Sequence, residues 1–481
     1  MLDKIKQLTK ETALYGLSTF VGRFINFFLV PFYTNIFPPS EYGIVTNIYA
    51  YIAVMNIVLL YGMDSAYLKT ASPLEGEERS RAFSTAWLGV LVSSTLIGLL
   101  LVLFQNAGAK AISLAQGQSD IYLMAVGVLV FDNLGAIQFI QLRLEHKAFL
   151  FSLIRIVNII IMVALNFVLV LGFDSGVEAV FISNLAASVF SFIVVSFFTI
   201  KHFVFSFDTV LFKKMAKFAL PYLPAGLASS FLQVIDRPIV EGILGLEALG
   251  IYQANYRLGI FMMLYGSMFQ FAWQPFFMKN AKGEDAPLLI GRIFTLYVLI
   301  GFVILLFFTF FIENILAVSV KGVSLIGRDY TSASGIIPII LGAYLCNAVY
   351  IFFNVGIFLR EKSTIVPLFV GLAAVIKISL NLIFLKSAGI YLAAWASFGA
   401  YAFLALSFYI YSRKTFPVKF ETRKLMLLAV LSGVFVALAY LIADYTFWFK
   451  GTVFLLFPAA LFLTGFLRPS ETARLKQLFR R

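Results

Sequence analysis

The chain has 481 residues, of which 61% are hydrophobic and 13% charged, with a formal net charge of +13 and a mean hydropathy of +0.93. Soluble domains are about 45–50% apolar and about 25% charged, so this composition excludes a soluble fold and predicts a polytopic membrane protein. The single cysteine, Cys346, excludes an intrachain disulfide. The two histidines form no Cys/His cluster and no GxxxxGK[ST] loop occurs, so we expect no metal, cofactor or ATP-driven motor.

Apolar runs separated by proline, glycine and charge clusters predict an all-α fold with fourteen transmembrane helices. Each crossing needs about 20 apolar residues, because the hydrocarbon core is about 30 Å thick. The predicted spans cover residues 11–37, 41–68, 82–105, 120–145, 148–172, 178–200, 217–243, 247–277, 287–312, 331–358, 363–386, 390–412, 425–444 and 451–467. The start, MLDKIKQLTKETALYG, is followed by no small-residue cleavage site, so we expect an uncleaved first helix.

Basic residues lie mainly on one side of this topology. The loops on the side of the N-terminus hold 27 of the 37 lysines and arginines, and the opposite loops hold 5. The positive-inside rule therefore predicts that both termini are cytoplasmic. The surplus charge then has anionic membrane lipids as its natural partner, and we expect no nucleic-acid binding.

An internal repeat relates the two halves of the chain. A shift of 207 residues aligns prolines, glycines and tyrosines of the first hairpin with those of the seventh and eighth spans: Pro31 with Pro238, Gly43-Ile44 with Gly250-Ile251, and Tyr49 with Tyr256. We predict two parallel six-helix lobes, residues 1–200 and 201–415, followed by two extra helices and a basic tail at 416–481. Such repeats place a transport substrate between the halves, and we expect a monomer because one chain supplies both lobes.

Charges inside the predicted spans are the candidates for function, because a charge at a helix centre costs about 2.5–3.5 kcal/mol on insertion scales. The predicted cationic site consists of Arg23, Arg237, Arg257 and Lys377. For Arg23 the alternative is an interhelical polar network, and for Arg237 it is an intrahelical pair with Glu241. A fifth cation, Arg155, is expected to extend to the membrane interface. Guanidinium groups match phosphate geometry, so the set favours an anionic substrate.

Other polar residues in the spans are predicted to support this site. The set comprises Asn26, Asp64, Asp132, Asp236, Asn347 and Asn354, with Pro31 and Pro238 as predicted hinges. Asp132 is either a proton or cation relay or a partner for one of the arginines. If it is a relay, Asp132→Asn uncouples transport from pH.

The segments KETALYGLSTFVGRFINFFLVPFYTNIFPPSEYGIVTNIYAYIAVM and ALPYLPAGLASSFLQVIDRPIVEGILGLEALGIYQANY, with the 6+6+2 plan, resemble bacterial polysaccharide flippases. These are the O-antigen (Wzx-type) and polysaccharide-transport branch of the multidrug/oligosaccharidyl-lipid/polysaccharide exporter superfamily. The resemblance implies a multi-pass protein of the bacterial cytoplasmic (inner) membrane that flips undecaprenyl-diphosphate-linked oligosaccharide by alternating access. It further implies a cationic cavity, coupling to an H+ or Na+ gradient or the membrane potential, and polysaccharide polymerase machinery as a partner.

Rival functions remain open at this point. A lipid II flippase of peptidoglycan synthesis has the same architecture and a similar cationic cavity. A multidrug exporter of the same superfamily calls for an acidic cavity. The charges that we treat as intramembrane are instead five bases, Arg23, Arg155, Arg237, Arg257 and Lys377, and three acids, Asp64, Asp132 and Asp236. A membrane glycosyltransferase needs catalytic carboxylates and sizeable outer loops, and the predicted outer loops are short, so we do not expect an enzyme. A scaffold would leave the mid-span charges unexplained.

Overall fold

The structure is a computed structural model that describes residues 22, 24–25, 27–115, 117–280, 283–358, 365–415 and 418–466. Within these residues, nine helices are long and apolar enough to cross a membrane, and two shorter apolar helices accompany them. The chain is therefore a multi-pass membrane protein.

The first helices run from α1 to α8. Their bounds are α1 Phe27–Ile36, α2 Pro39–Leu60, α3 Met63–Ala71, α4 Gly76–Leu103, α5 Gln105–Ala111, α6 Ser119–Leu144, α7 Ala148–Gly172 and α8 Glu178–Thr199. A 3-10 turn at Ile200–His202 follows α8. Helix α7 has the limits predicted from its apolar run.

The following helices are shorter, and the final ones are long again. They are α9 Thr209–Ala219, α10 Tyr222–Val234, α11 Asp236–Leu244, α12 Leu246–Tyr256, α13 Ile260–Asn280, α14 Ala286–Ala317, α15 Ile336–Phe358, α16 Ile365–Thr415, α17 Thr422–Leu441 and α18 Phe447–Leu463. Two 3-10 segments cover Arg257–Gly259 and Arg328–Ala333. A two-residue hairpin pairs β1 (Ser319–Val320) with β2 (Val323–Ser324) in antiparallel register.

Several predicted spans differ in continuity from the observed helices. The second span is interrupted at Tyr61 and Gly62, which both have a left-handed backbone with φ of 37° and 80°. The seventh span is divided into α9, α10 and α11. The eleventh and twelfth predicted spans correspond to the two helical parts of α16, which meet at a kink at Gly389, where φ is 63° and ψ is −162°. A chain can take such a positive φ at a glycine without steric cost.

The chain forms two compact units, Met1–Gln253 and Ala254–Arg481. They are called unit 1 and unit 2 below. The lobe limits predicted from the repeat remain a prediction.

Unit 1 is held by an apolar cluster and by polar contacts between helices. Buried Met63 and Ala66 of α3 pack with Met215 and Ala219 of α9. Asn133 Nδ2 donates to Asn56 Oδ1 at 2.7 Å, which links α6 to α2. Hydrogen bonds of this kind connect helices in a bilayer, where an unpaired amide is costly.

A backbone contact joins the N-terminal turns of α2 and α12. A Cβ added to Gly43 would lie 2.1 Å from the carbonyl oxygen of Leu246, and one added to Gly250 would lie 1.8 Å from that of Pro39. Both are far shorter than van der Waals contact, so only glycine fits at either position. The shift of 207 residues that relates the two repeats aligns Gly43 with Gly250 and position 39 with position 246. The contact is therefore symmetric with respect to the repeat.

Unit 2 contains a stack of aromatic rings. The ring centroid of Tyr297 lies 3.9 Å from that of Phe269 and 5.0 Å from that of Tyr265. Trp273 stacks on Phe352 at 4.3 Å and donates its indole N–H to the Phe352 carbonyl at 3.1 Å. Offset aromatic pairs add about 0.5–1.5 kcal/mol each beyond the burial of their surface, so this stack stabilises α13, α14 and α15 together.

Candidate functional site

The first predicted cation and its neighbour, Arg23 and Asn26, lie outside the described residues. Helix α1 continues through Pro31, whose carbonyl accepts a 2.7 Å hydrogen bond from Asn35. Two residues after Pro31, the Tyr33 hydroxyl donates to Oδ1 of Asn166 at 2.8 Å. Tyr33, which lies in the first predicted span, is thus in contact with α7 of unit 1.

The start of α11 carries Asp236 and Arg237. Proline 238 lacks the N–H that would bond to the carbonyl of Val234, and the helix is interrupted at residue 235 accordingly. Asp236 is buried, and the Tyr252 hydroxyl donates to its Oδ2 at 2.7 Å. Arg237 Nη1 lies 3.4 Å from the carbonyl oxygen of Thr46, so this guanidinium faces α2.

Asp132 and Arg155 are brought together in unit 1. The Asp132 carboxylate accepts a hydrogen bond from Ser188 of α8, and Arg155 of α7 lies near enough to interact with it electrostatically. The Arg155 guanidinium also lies 4.1 Å from the ring centroid of Phe139, which is a cation–π distance. Arg155 therefore contacts the neighbouring helix.

The remaining described supporting residues lie on two helices, α3 and α15. Asp64 lies in the first turn of α3, where a carboxylate is favoured by the helix dipole. Asn347 and Asn354 of α15 are both half-buried. Asn354 Oδ1 accepts no hydrogen bond from the part of the chain that the structure describes.

Arg257 begins the 3-10 turn that joins α12 to α13. Its side chain is half-buried, and its Nε has no hydrogen-bond partner among the described residues. The nearby Asn255 is held in place, because its Nδ2 donates to the Tyr330 carbonyl at 2.8 Å. An unsatisfied guanidinium N–H in a partly desolvated position is suited to an anionic oxygen.

Lys377 lies in the first half of α16 and has no exposed surface. Its carbonyl accepts a 2.8 Å hydrogen bond from Asn381, which is also fully buried. A substrate can therefore reach the Lys377 ammonium only after the helices around it have moved.

Two groups of polar residues were not among the site residues predicted from the sequence. Gln253 is 1% exposed, and within the described chain neither of its polar side-chain atoms has a partner. At the end of α6, Glu145 contacts Lys147, and its Oε1 lies 2.5 Å from His202 Nε2 and 2.8 Å from Gln141 Nε2. The sequence shows the charged residues near Glu145 and near His202, but it does not show that Lys147 and His202 both contact the Glu145 carboxylate.

The environment of Glu145 has an electrostatic consequence. Burial disfavours its charged form, but hydrogen bonds from Lys147 and Gln141 and electrostatic interaction with His202 and Lys147 outweigh this effect. The pKa of the Glu145 carboxyl is consequently lower than its ordinary value. The carboxylate therefore ties the α6–α7 corner to the end of α8 at neutral pH.

The described residues contain no group of three or more His, Cys, Asp or Glu side chains arranged to hold a metal ion.

Comparisons with known proteins extend this picture. The sequence profile of a family described as "Polysaccharide biosynthesis protein" matches residues 8–281. A search of curated protein sequences finds no match.

Solved structures resemble the fold over most of the chain. "Lipid II flippase MurJ, inward closed conformation" matches with a TM-score of 0.75 and 17% identity, over 94% of this chain and 99% of that one. An inward-facing multidrug resistance MATE family transporter of the MOP superfamily matches with a TM-score of 0.62 and 11% identity, over 84% and 94%. The Vibrio cholerae MATE transporter VcmN D35N mutant matches with a TM-score of 0.59 and 13% identity, over 85% and 96%. The predicted fold class is thereby confirmed.

Proposed function

This chain belongs to the polysaccharide biosynthesis protein family, and from that premise we propose that it is a flippase for undecaprenyl-diphosphate-linked oligosaccharide. The match of the family profile over residues 8–281 is the observation that carries the proposal. The similarity in fold to a flippase and to transporters supports it. The proposed reaction is translocation by alternating access, with no covalent step.

The diphosphate would be bound by intramembrane cations. Arg257 is the strongest described candidate, because its Nε has no partner among the residues described. Arg237 faces α2 and would have to exchange its contact with Thr46 for a phosphate oxygen. Arg23 and Lys377 complete the proposed set, and Lys377 would bind substrate only in a conformation that exposes it.

The proposed cellular setting is supported by the charge distribution and the family. We place the chain in the bacterial cytoplasmic membrane with both termini in the cytoplasm, since basic residues are concentrated on that side. The proposal includes coupling to an H+ or Na+ gradient, polysaccharide polymerase machinery as a partner, and a functional monomer.

A lipid II flippase is the second candidate. The observation that favours it is the TM-score of 0.75 to MurJ, against 0.62 for the MATE transporter. Both candidates need a diphosphate site, and they differ in the sugar that is carried.

The experiment that separates them is deletion of the gene in its native host, followed by lipid extraction and mass spectrometry of polyprenyl-diphosphate sugars. The proposal predicts that a complete oligosaccharide unit accumulates. Wild type should restore normal levels and Arg257→Ala should not, whereas Arg81→Ala serves as a matched control because Arg81 is exposed and pairs with Glu77 at 2.7 Å. Accumulation of lipid II would establish the second candidate, and accumulation of neither lipid would refute both.

A further inference from the structure

A short segment of unit 1 after α8, residues 203–220, is called the linker here. It is fixed to α4 at two points of its backbone. The Val204 N–H donates to Ser84 Oγ at 2.8 Å, and the Asp208 N–H donates to Thr85 Oγ1 at 3.2 Å. Phe203 packs edge-on against Trp87 at 5.5 Å. These contacts hold the linker at a defined depth relative to the helices of unit 1.

Helix α9, the ordered part of the linker, has two distinct faces. The Asp208 carboxylate caps it by accepting 2.9 Å hydrogen bonds from the N–H groups of Val210 and Leu211. Met215 and Ala219 are fully buried against α3 and α4. The opposite face is exposed, so α9 lies along the surface of the unit.

The exposed side of the linker is apolar at its beginning. Phe205 lies three residues beyond the membrane-spanning segment Glu178–His202, and its side chain is 97% exposed. Val210, in the first turn of α9, is 76% exposed. Ile200, just before the linker, is also exposed. This apolar surface is continuous with a helix that crosses the bilayer, so the adjacent solvent is the interfacial region of the membrane.

The same side of the linker is cationic further on. Lys213, Lys214 and Lys217 are all exposed, and they follow Val210 at helical spacings of three, four and seven residues. Lys69 of α3 lies close by, with its ammonium 3.9 Å from the ring centroid of Phe218. Asp208 is the acidic residue of the linker, and its carboxylate is engaged in the cap. The surface therefore has a net positive charge.

We propose that the linker is a binding surface for anionic phospholipid headgroups, with Phe205 and Val210 inserted at the level of the acyl chains. Basic amphipathic helices with exposed apolar residues lie in the membrane interface in this manner. Lysines close to a membrane surface are attracted to anionic headgroups. The charge of the surface and its continuity with a membrane span favour a lipid over a second protein as the occupant.

The charge part of the proposal is tested in nanodiscs of phosphatidylcholine with increasing phosphatidylglycerol. The test variant combines Lys213→Gln, Lys214→Gln and Lys217→Gln. The matched control combines Lys110→Gln, Lys321→Gln and Lys386→Gln, which are also exposed lysines and remove the same charge. Phosphatidylglycerol should raise the Tm of wild type and control, and the linker variant should lose at least about half of that shift. An equal shift in all three proteins would overturn the proposal, as would no shift in any.

A second measurement tests insertion without relying on charge. Cys346 is the single cysteine, so a Cys346→Ser background permits a spin label at Phe205→Cys and, as a control, at Ser206→Cys. The proposal predicts that the label at 205 is more accessible to oxygen than to a water-soluble nickel complex. Greater accessibility to the nickel complex at 205 would show that this side chain faces water and would refute insertion.

Discussion

Two intramembrane arginines, Arg155 of unit 1 and Arg257 of unit 2, have different surroundings. In unit 1, Arg155 lies over the Phe139 ring and near the Asp132 carboxylate, which Ser188 also contacts. In unit 2, Arg257 has an Nε without a partner among the described residues. An arginine whose charge is matched by its neighbours supports the packing of helices. One with a free donor in a partly desolvated place is available to a ligand, so the two substitutions should affect different measurements.

The largest effect is expected from Arg257→Ala. Loss of a charge-assisted hydrogen bond to a phosphate oxygen removes about 1.5–3 kcal/mol, which corresponds to about a 10- to 150-fold loss of transport. Transport is measured as the flipping of a diphosphate-linked lipid in proteoliposomes, with Arg155→Ala as the comparison and the Tm of both as the control for folding. If Arg257→Ala lowers Tm as much as Arg155→Ala does, the proposed contrast between the two arginines is wrong.

Gly43→Ala tests whether the close backbone contact between α2 and α12 stabilises unit 1. The new methyl group would meet the Leu246 carbonyl at 2.1 Å, so α2 and α12 must separate. The expected loss of stability is about 1–3 kcal/mol. Gly433→Ala is the matched control, because a Cβ at that helical position meets no atom within 4 Å. Thermal unfolding in detergent should show a lower Tm for Gly43→Ala alone, and equal Tm values would contradict the contact.

Arg155→Ala should destabilise unit 1 by about 0.5–1 kcal/mol through the lost cation–π contact. The link to Asp132 is resolved by a double-mutant cycle with Asp132→Asn, measured by thermal unfolding. We expect the two substitutions to be non-additive, because residues that interact electrostatically share interaction energy. Strict additivity would mean that Asp132 serves another purpose, and a pH-independent transport rate in Asp132→Asn would then identify it as the relay.

Glu145→Gln should have the smallest effect. Because the folded-state pKa of Glu145 is lower than its ordinary value, the carboxylate stabilises the fold above the unfolded-state pKa, and this stabilisation is lost as pH falls through the folded-state pKa. The variant should therefore be less stable than wild type at pH 7, by about 1 kcal/mol or less. The difference should disappear in acid. Tm values measured from pH 7 downward check this, and a difference that grows in acid would reverse the assignment.

The sequence was sufficient to predict the helices that are continuous and apolar. Helix α7 has its predicted limits because a mainly apolar segment in a bilayer can satisfy its backbone hydrogen bonds only within a helix. The interruption at Tyr61 and Gly62 could not be predicted, since it depends on a neighbour. A Cβ at Gly62 would lie 2.7 Å from the carbonyl oxygen of Ala219 in α9, so the approach of that helix requires the glycine.

In the candidate site, too, some features could be predicted from the sequence and others depend on tertiary contacts. The charges of Asp236 and Arg237 were conspicuous in an apolar sequence because such residues are costly in a membrane. Their contacts, Tyr252 and Thr46, are ordinary residues of other helices and are determined by packing. Sequence patterns locate a costly residue, whereas tertiary structure decides which group offsets its cost.

The contact of Gly43 with Gly250 resembles an interface between two subunits of an oligomer. Position 39 touches 250 and position 246 touches 43, which is the reciprocal pattern of an isologous dimer interface, here folded into one polypeptide. In a homodimer, one mutation in the gene changes both copies of the residue at the interface. In this chain, Gly43 and Gly250 are separate positions, so each can be mutated alone. Either change disrupts the same contact. A second substitution should therefore cost less than the first, and the two glycines are constrained as a pair.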